Sequence, residues 1–302
     1  MNKLNLDRIG IEISSQCNYR CVGCPHSELT RGHGNMDTKL FLDIFKEIGN
    51  NTHVIFLWNY GDPLLNPHIV EMLEGIKNYR CKKILSTTGW KLNDFQNLKF
   101  LTNLDELIIS INGLTQNIYE LHQKNGNLKK VVEGVKRLAP VLKRGKTKLI
   151  LQMVAHNKNL EQIKNAALIN KFALKLGFHE IAIKSFNVMD GKQKTFDTFV
   201  PVGTPYSRYS SNFKGKQYPN LKKIYPCTKG FVINWDGSIT TCCWDYKGKY
   251  ILGDAKKNGI QAIWNSPRAI EHRNKVSSGK FLDICTGDCS VRNTIMKWSI
   301  KN

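Results

Sequence analysis

Cys17, Cys21 and Cys24 fall within the run Cys17-Asn18-Tyr19-Arg20-Cys21-Val22-Gly23-Cys24, directly after the apolar stretch Ile9 to Ser15. Three thiolates this close form a soft, negatively charged site. They suit an iron–sulfur cluster or a thiophilic ion such as zinc. A structural zinc wants a fourth ligand, and His26 is the one local candidate before Cys81. An incomplete ligand ring leaves a metal position open for chemistry. A second group of thiols, Cys227, Cys242, Cys243, Cys285 and Cys289, lies late in the chain. Cys81 sits between a helical and a strand pattern and reads as a plain buried cysteine. His26 and His122 read as locally hydrogen-bonded.

Such residues need a scaffold. Ile9, Ile11 and Ile13 alternate with polar neighbours, so residues 9–15 read as a strand. Asp37 to Ile48 reads as a helix with Asp37 as its N-cap and Leu40, Ile44 and Ile48 on one face. Val54–Trp58 reads as a strand, broken by Asn59-Tyr60-Gly61-Asp62-Pro63, and a helix follows from Pro67 to Asn78. Further strands are predicted at Lys83–Thr87, Leu107–Ser110, Lys148–Val154 and Ile181–Lys184. Helices are predicted at Leu128–Leu142 and Leu160–Leu176, the latter burying Ile163, Ala166, Ile169, Ala173 and Leu176. Alternating strands and helices imply a parallel sheet with helical crossovers. The alternation stops after six units, so the fold class expected is α/β, a partial (β/α)6 TIM-like barrel. A small Cys-rich α+β domain follows it.

The domain boundaries expected are 1–184 for the barrel, 185–226 for a bridging segment and 227–302 for the Cys-rich domain. The bridge has no sustained period and is long for a connection. Its aromatic residues, among them Phe186, Phe196, Phe199, Tyr209, Phe213 and Tyr218, argue for order. Beyond it, Phe231-Val232-Ile233 and Ser238-Ile239-Thr240 flank Trp235-Asp236-Gly237, a hairpin signal. So small a domain gains stability from metal ligation.

The chain has 302 residues, with Lys+Arg 45 against Asp+Glu 24 and a net charge of +21. That surface attracts anions: a phosphorylated substrate, nucleic acid, or an acidic electron donor such as flavodoxin or ferredoxin. A lysine-rich composition with no functional meaning explains the charge as well. No long apolar run indicates a membrane span. The start, Met1-Asn2-Lys3-Leu4, does not read as a signal peptide. Nine cysteines favour metal or redox use over disulfides, and a cytoplasmic location is expected.

The Cys-x3-Cys-x2-Cys loop after a first strand resembles the radical S-adenosylmethionine (SAM) superfamily. The resemblance implies that Cys17, Cys21 and Cys24 are the catalytic cluster ligands of a [4Fe–4S] cluster whose fourth iron is chelated by SAM. Gly23 departs from the family, which carries an aromatic or large apolar residue there. Tyr60-Gly61-Asp62-Pro63 is similar to the Gly-Gly-Glu-Pro motif that binds the SAM ammonium, with Asp62 for glutamate. Thr88 lies in a Thr-Asn-Gly-like turn, and Ser110-Ile111-Asn112-Gly113 resembles the family's Ser-Leu-Asp-Gly segment. Gln152 and Lys184, at the ends of strands five and six, either face the cofactor cavity or are solvated. Met153 or Val154 packs the adenine or the core. Cys227 and Cys242, with Gly237 between them, and the pair Cys285 and Cys289 resemble the SPASM auxiliary-cluster domains. That resemblance implies one auxiliary [4Fe–4S] cluster held by those four cysteines; a structural zinc would use the same four. Strand alternation would aim Cys243 away from the metal.

The reaction preferred from this resemblance is two-electron oxidation (dehydrogenation) of a small or phosphate- or nucleotide-linked metabolite, such as a sugar or aminocyclitol derivative. The compact plan is similar to that of the radical SAM dehydrogenase of butirosin biosynthesis. The alternative is radical modification of a peptide or protein side chain by crosslinking, epimerisation or oxidation. A reading from another class is an RNA-binding protein with structural clusters. It rests on charge alone, and no RNA-binding module is present to support it.

Overall fold

The computed structural model describes residues 6–143, 145–209, 226–280, 282–284 and 294–300. Among them the apolar periods of the sequence become, in chain order, β1 (Leu6–Ile11), α1 (Thr38–Ile48), β2 (Thr52–Phe56), α2 (Ile69–Gly75), β3 (Lys82–Thr87) and β4 (Glu106–Ser110). Next come α3 (Gln116–His122), α4 (Leu128–Leu142), β5 (Lys148–Ala155), α5 (Leu160–Lys164), α6 (Ala166–Lys175), β6 (Glu180–Ser185) and α7 (Gln193–Phe199). The chain continues with β7 (Val232–Ile233), β8 (Ser238–Thr240), β9 (Ile251–Asp254), α8 (Ile260–Trp264), α9 (Pro267–Ser277) and β10 (Thr294–Ser299). The chain divides into two units, one of 1–17, 26–85 and 219–290, the other of 18–25, 86–218 and 291–302.

In the first unit the strand order is β3-β2-β1-β7-β8-β9. β1 pairs in parallel with β2 on one side and with β7 on the other, where Gly10 faces Val232. Leu6, Ile9, Ile11 and Ile13 are fully buried, as this placement between two neighbours requires. α1 covers the sheet with Leu40, Phe41, Ile44, Phe45 and Ile48, and the Asp37 side chain caps it by accepting from the Leu40 N–H at 3.0 Å. The β7–β8 hairpin turns at Gly237, whose φ of +89° suits a residue without Cβ.

In the second unit β4, β5 and β6 are parallel, and β10 closes the row antiparallel to β6. β10 is absent from the sequence expectation, which reads that tail for its cysteines alone. Glu180 holds it, ion-paired with Lys297 at 2.6 Å and accepting from Lys148 at 3.0 Å. The single helix expected over 160–176 is two helices. Asn165 ends α5 and caps α6, accepting from the Leu168 N–H at 3.0 Å. An asparagine favours that cap over a helix interior. Ala166 is therefore exposed, contrary to expectation.

The described part of the bridging segment, 185–209, is ordered. Phe186, Val188, Phe196, Phe199, Val200 and Tyr209 form an apolar cluster with Val22 and Val154 packed against it. The Tyr209 hydroxyl fastens it, accepting from the Val188 N–H at 3.0 Å and donating to Asn187 Oδ1 at 3.1 Å. Phe213 and Tyr218 lie outside the described residues. Phe196→Ala is expected to lower the free energy of unfolding by about 3–5 kcal/mol, measured by urea denaturation. A loss below about 1 kcal/mol would show that the segment has no core of its own.

Candidate functional site

In the first unit the loop toward Cys17 starts from a buried carboxylate. Glu12 is fully buried, and Arg31, itself 8% exposed, grips it with Nη2 at 2.6 Å and Nε at 3.0 Å. Glu12 Oε1 also accepts the Tyr60 N–H at 3.1 Å, and Oε2 the Trp235 N–H at 3.4 Å. The remaining Arg31 reach goes to the Tyr246 carbonyl at 3.0 Å. A buried ion pair is stable only when its other lone pairs and protons are met, and these contacts meet them. Sequence reasoning missed Glu12 and Arg31. The available signal was an acid inside an apolar run, since buried acids are almost always paired.

The same unit fixes the segment Ser14–Cys17. The Ser15 carbonyl receives His26 Nε2 at 2.7 Å, and Ser15 exchanges backbone and side-chain bonds with Gly34. His26 stacks on His33 at 4.4 Å, so it is the local hydrogen-bonding group expected. The Tyr60-Gly61-Asp62-Pro63 turn lies against this segment. A Cβ on Gly61 would stand 2.1 Å from the Ser14 carbonyl oxygen, and the Asp62 N–H donates to the Gln16 carbonyl at 2.8 Å. Glycine is thus required there by close backbone approach. Asp62 is buried, and its Oδ1 accepts the Leu64 N–H at 3.1 Å, which caps the short helix beginning at Pro63. Asn66, also missed, donates to the Ile13 and Met36 carbonyls, each at 3.0 Å.

Cys21 and Cys24 belong to the second unit and are half-buried. A tight turn joins them, with the Cys24 N–H donating to the Cys21 carbonyl at 3.2 Å. The Val22 N–H donates to the His122 carbonyl at 2.9 Å, and the Asp190 N–H donates to the Gly23 carbonyl at 3.1 Å. Tyr19 is buried edge-on to Trp90, its hydroxyl 2.8 Å from that of Tyr119. Gly23 takes a φ of +81°, and an added Cβ would stand 3.0 Å from the Phe186 ring. Gly23 offers no side chain beside the last cysteine, and Phe186 of the bridging segment packs there.

The ends of β3, β4 and β5 supply the polar groups of this unit. Thr88 is half-buried and accepts from the Trp90 N–H at 3.4 Å. Gln152 Nε2 donates to Ser110 Oγ at 3.2 Å, joining two of the expected site residues. Lys184 is half-buried beside Val154 in the β5–β6 register. Asn112 is committed internally. Its Oδ1 accepts the Val154 N–H at 2.7 Å, and its Nδ2 donates to His122 Nδ1 at 2.9 Å. That bond places the His122 proton on Nε2. His156, missed from the sequence, is fully buried 5.3 Å from His122, its Nδ1 accepting the Lys158 N–H at 3.2 Å. Burial holds both imidazoles neutral, His122 pushed down to about 4 and His156 lower still.

Of the late cysteines, Cys227 and Cys242 are half-buried and Cys243 is exposed. Cys285 and Cys289 lie outside the described residues. Strand alternation does not separate Cys242 from Cys243. β8 ends at Thr240, after a register shift against β9, and the pair sits in a turn closed by the Asp245 N–H on the Cys242 carbonyl at 3.2 Å. Tyr60 donates its hydroxyl to the Cys243 carbonyl. Cys81 is buried, as expected. Among the described residues no group of three or more His, Cys, Asp or Glu side chains is arranged to hold a metal ion. The donor chemistry nevertheless fits a thiophilic centre. Cys17, Cys21 and Cys24 are partly accessible thiols outside any disulfide.

A parallel α/β core, a glycine-cradled turn after β2 and a three-cysteine loop after β1 together describe one class of protein. The model of the Radical SAM superfamily matches residues 11–168, and that of SPASM, an iron-sulfur cluster-binding domain, matches residues 227–290. The chain belongs to the radical SAM superfamily, carries a C-terminal SPASM auxiliary domain, and is a SAM-dependent enzyme. It is similar to the tungsten-containing aldehyde ferredoxin oxidoreductase cofactor-modifying protein of Pyrococcus furiosus, 23% identical over 94% of this chain and 87% of that one. It is similar over a shorter span to the S-adenosyl-L-methionine-dependent 2-deoxy-scyllo-inosamine dehydrogenase of Niallia circulans, 31% identical over 42% of this chain and 50% of that one. Its fold matches the crystal structure of BtrN in complex with AdoMet and 2-DOIA, with a TM-score of 0.57 and 18% identity over 98% of this chain and 97% of that one. No helix of the described residues is long and apolar enough to cross a membrane.

The neutral His122 sets a pH dependence. Its ordinary value is 6.5 and its folded value about 4, so between these the unfolded chain binds a proton that the folded chain does not. Stability is then expected to fall as the pH drops through this window, by about 3 kcal/mol in all. Urea unfolding at stepped pH checks this, with His122→Gln as the control that loses this component of the slope. An equal slope in both proteins would remove His122 as its source.

Proposed function

We propose that this enzyme oxidises a small hydroxylated metabolite, of the sugar or aminocyclitol kind, by removing two hydrogens. The observation that carries the reading is the match along nearly the whole of both chains to the BtrN structure. The shorter likeness to an inosamine dehydrogenase supports it. Cys17, Cys21 and Cys24 would hold a [4Fe–4S] cluster, and Cys227, Cys242, Cys285 and Cys289 one auxiliary [4Fe–4S] cluster. When bound, the first cluster supplies the electron that cleaves SAM to methionine and the 5′-deoxyadenosyl radical.

The protein's part is to bind, orient and exclude water. In this reading the α/β core is of the partial (β/α)6 barrel class. Tyr60, Gly61, Asp62 and Pro63 receive the methionine end of SAM, with Gly61 seating the turn against the Ser14 backbone. Thr88, Ser110, Gln152 and Lys184 line the cofactor. Asn112 acts as a positioning residue, because both ends of its side chain are engaged by Val154 and His122. The net charge of +21 favours an anionic electron donor such as flavodoxin or ferredoxin, and a phosphate on the substrate.

Anaerobically reconstituted protein is expected to hold about eight iron per chain, and a Cys17→Ala/Cys21→Ala/Cys24→Ala variant about four, with no 5′-deoxyadenosine formed under dithionite. Incubation with SAM, reductant and a panel of polyols, aminocyclitols and sugar phosphates should yield a product lighter by two hydrogens. Unchanged polyols beside a modified peptide would move the assignment to peptide chemistry. A triple variant that still cleaves SAM would remove the three cysteines from the site.

A further inference from the structure

Within the first unit, one side chain links the turn of Cys242 and Cys243 to the turn of Gly61 and Asp62. The Tyr60 hydroxyl donates to the Cys243 carbonyl, while its backbone N–H donates to Glu12 Oε1 at 3.1 Å. Tyr60 is 8% exposed, its ring edge-on to Tyr246 at 6.0 Å and beneath the Arg31 guanidinium at 6.0 Å. Arg31 donates to the Tyr246 carbonyl at 3.0 Å and binds Glu12 through two nitrogens. The contacts therefore form a closed ring running from Glu12 through Tyr60, Cys243, Tyr246 and Arg31 back to Glu12. Asp245 stiffens the cysteine turn, its carboxylate accepting the Lys249 N–H at 2.8 Å and the Tyr250 N–H at 2.7 Å.

The other end of Tyr60 is equally constrained. Gly61 lies so close to the Ser14 carbonyl that it has no room to slide, and Asp62 is tied to Gln16. A shift of the cysteine turn must then either break the Tyr60 hydroxyl bond or move the Gly61–Asp62 backbone. Buried hydrogen-bonded networks of this kind transmit small displacements because few of their members can relax alone.

We propose that Tyr60 is a positioning residue that couples the two cofactor sites: metal bound by the Cys242–Cys243 turn fixes the Gly61–Asp62 turn and thereby raises the affinity for SAM. The inference rests on the assignment of SAM to the Gly61–Asp62 turn and of the auxiliary cluster to the late cysteines. Coupling between binding sites is reciprocal, so bound SAM must also retain the auxiliary iron. A hydrogen bond of ordinary net strength gives a factor of about five in affinity.

The test measures SAM affinity by anaerobic equilibrium dialysis in wild type, in Tyr60→Phe, in Cys227→Ala/Cys242→Ala/Cys243→Ala, and in their combination. The alanine changes remove thiolates and keep the Cys243 carbonyl. In the Tyr60 background, loss of the auxiliary thiolates is expected to weaken SAM binding by about fivefold. In the Tyr60→Phe background the same change should alter affinity less than about twofold, and Tyr60→Phe alone should keep the wild-type iron content. A second measurement needs no cysteine variant: SAM should slow chelator-driven loss of auxiliary iron from wild type but not from Tyr60→Phe. Equal weakening in both backgrounds, or equal protection by SAM, overturns the coupling and leaves the cofactor assignment standing. Wild-type protein that takes up no iron and binds no SAM overturns both.

Discussion

A carboxylate with no access to water sets the terms for the first unit. Removing Glu12 from solvent is costly unless every lone pair finds a donor. The donors come from three places in the sequence, Arg31, Tyr60 and Trp235, and Arg31 in turn donates to the carbonyl of Tyr246. The requirement to satisfy one residue therefore pulls together the loop after β1, the turn after β2 and the hairpin of the auxiliary domain. Hydrophobic burial along β1 supplies most of the driving force but is indifferent to small shifts. The ion pair, being directional, specifies where each segment stops.

The second unit uses a different device. Phe186 and Phe199 of the bridging segment pack on its buried His122 and His156, and several buried polar groups there are directed by a neighbour of fixed chemistry. Val154 orients Asn112, and Asn112 in turn sets the His122 tautomer. Phe186 belongs to both the cover and the cysteine turn, since it packs on Gly23. A glycine beside the last cysteine is therefore compensated from more than 150 positions away in sequence, by a segment of apparently irregular composition.

Much of this was legible in residue order. The strand and helix periods through residue 184 located six parallel strands, and Asp37 announced its helix by the cap it forms. The cysteine spacing identified the family because thiolate chemistry tolerates few alternatives. What failed was anything decided across the chain. Asn165 divides a helix because its side chain prefers a backbone amide to a continuing helical turn. β10 joins β6 through a pairing that no local pattern encodes. Cys242 and Cys243 escape the alternation argument because β8 ends two residues earlier than their spacing from Gly237 suggested. Glu12, Arg31 and His156 have roles set by distant partners, and only the oddity of an acid in an apolar run hinted at the first.

The placement of β1 has a consequence for how the protein is made. One neighbour, β2, follows some 45 residues later, but the other, β7, begins at Val232 and pairs with Gly10. At a synthesis rate of about 5–20 residues per second, roughly 10–40 seconds pass between the emergence of the two strands from the ribosome. Throughout that interval the strand leading to the first cysteines has one edge of unpaired backbone N–H and C=O groups, the kind of edge that recruits other chains. Chaperone supply and translation speed then bear on the yield of folded enzyme alongside the final stability of the fold.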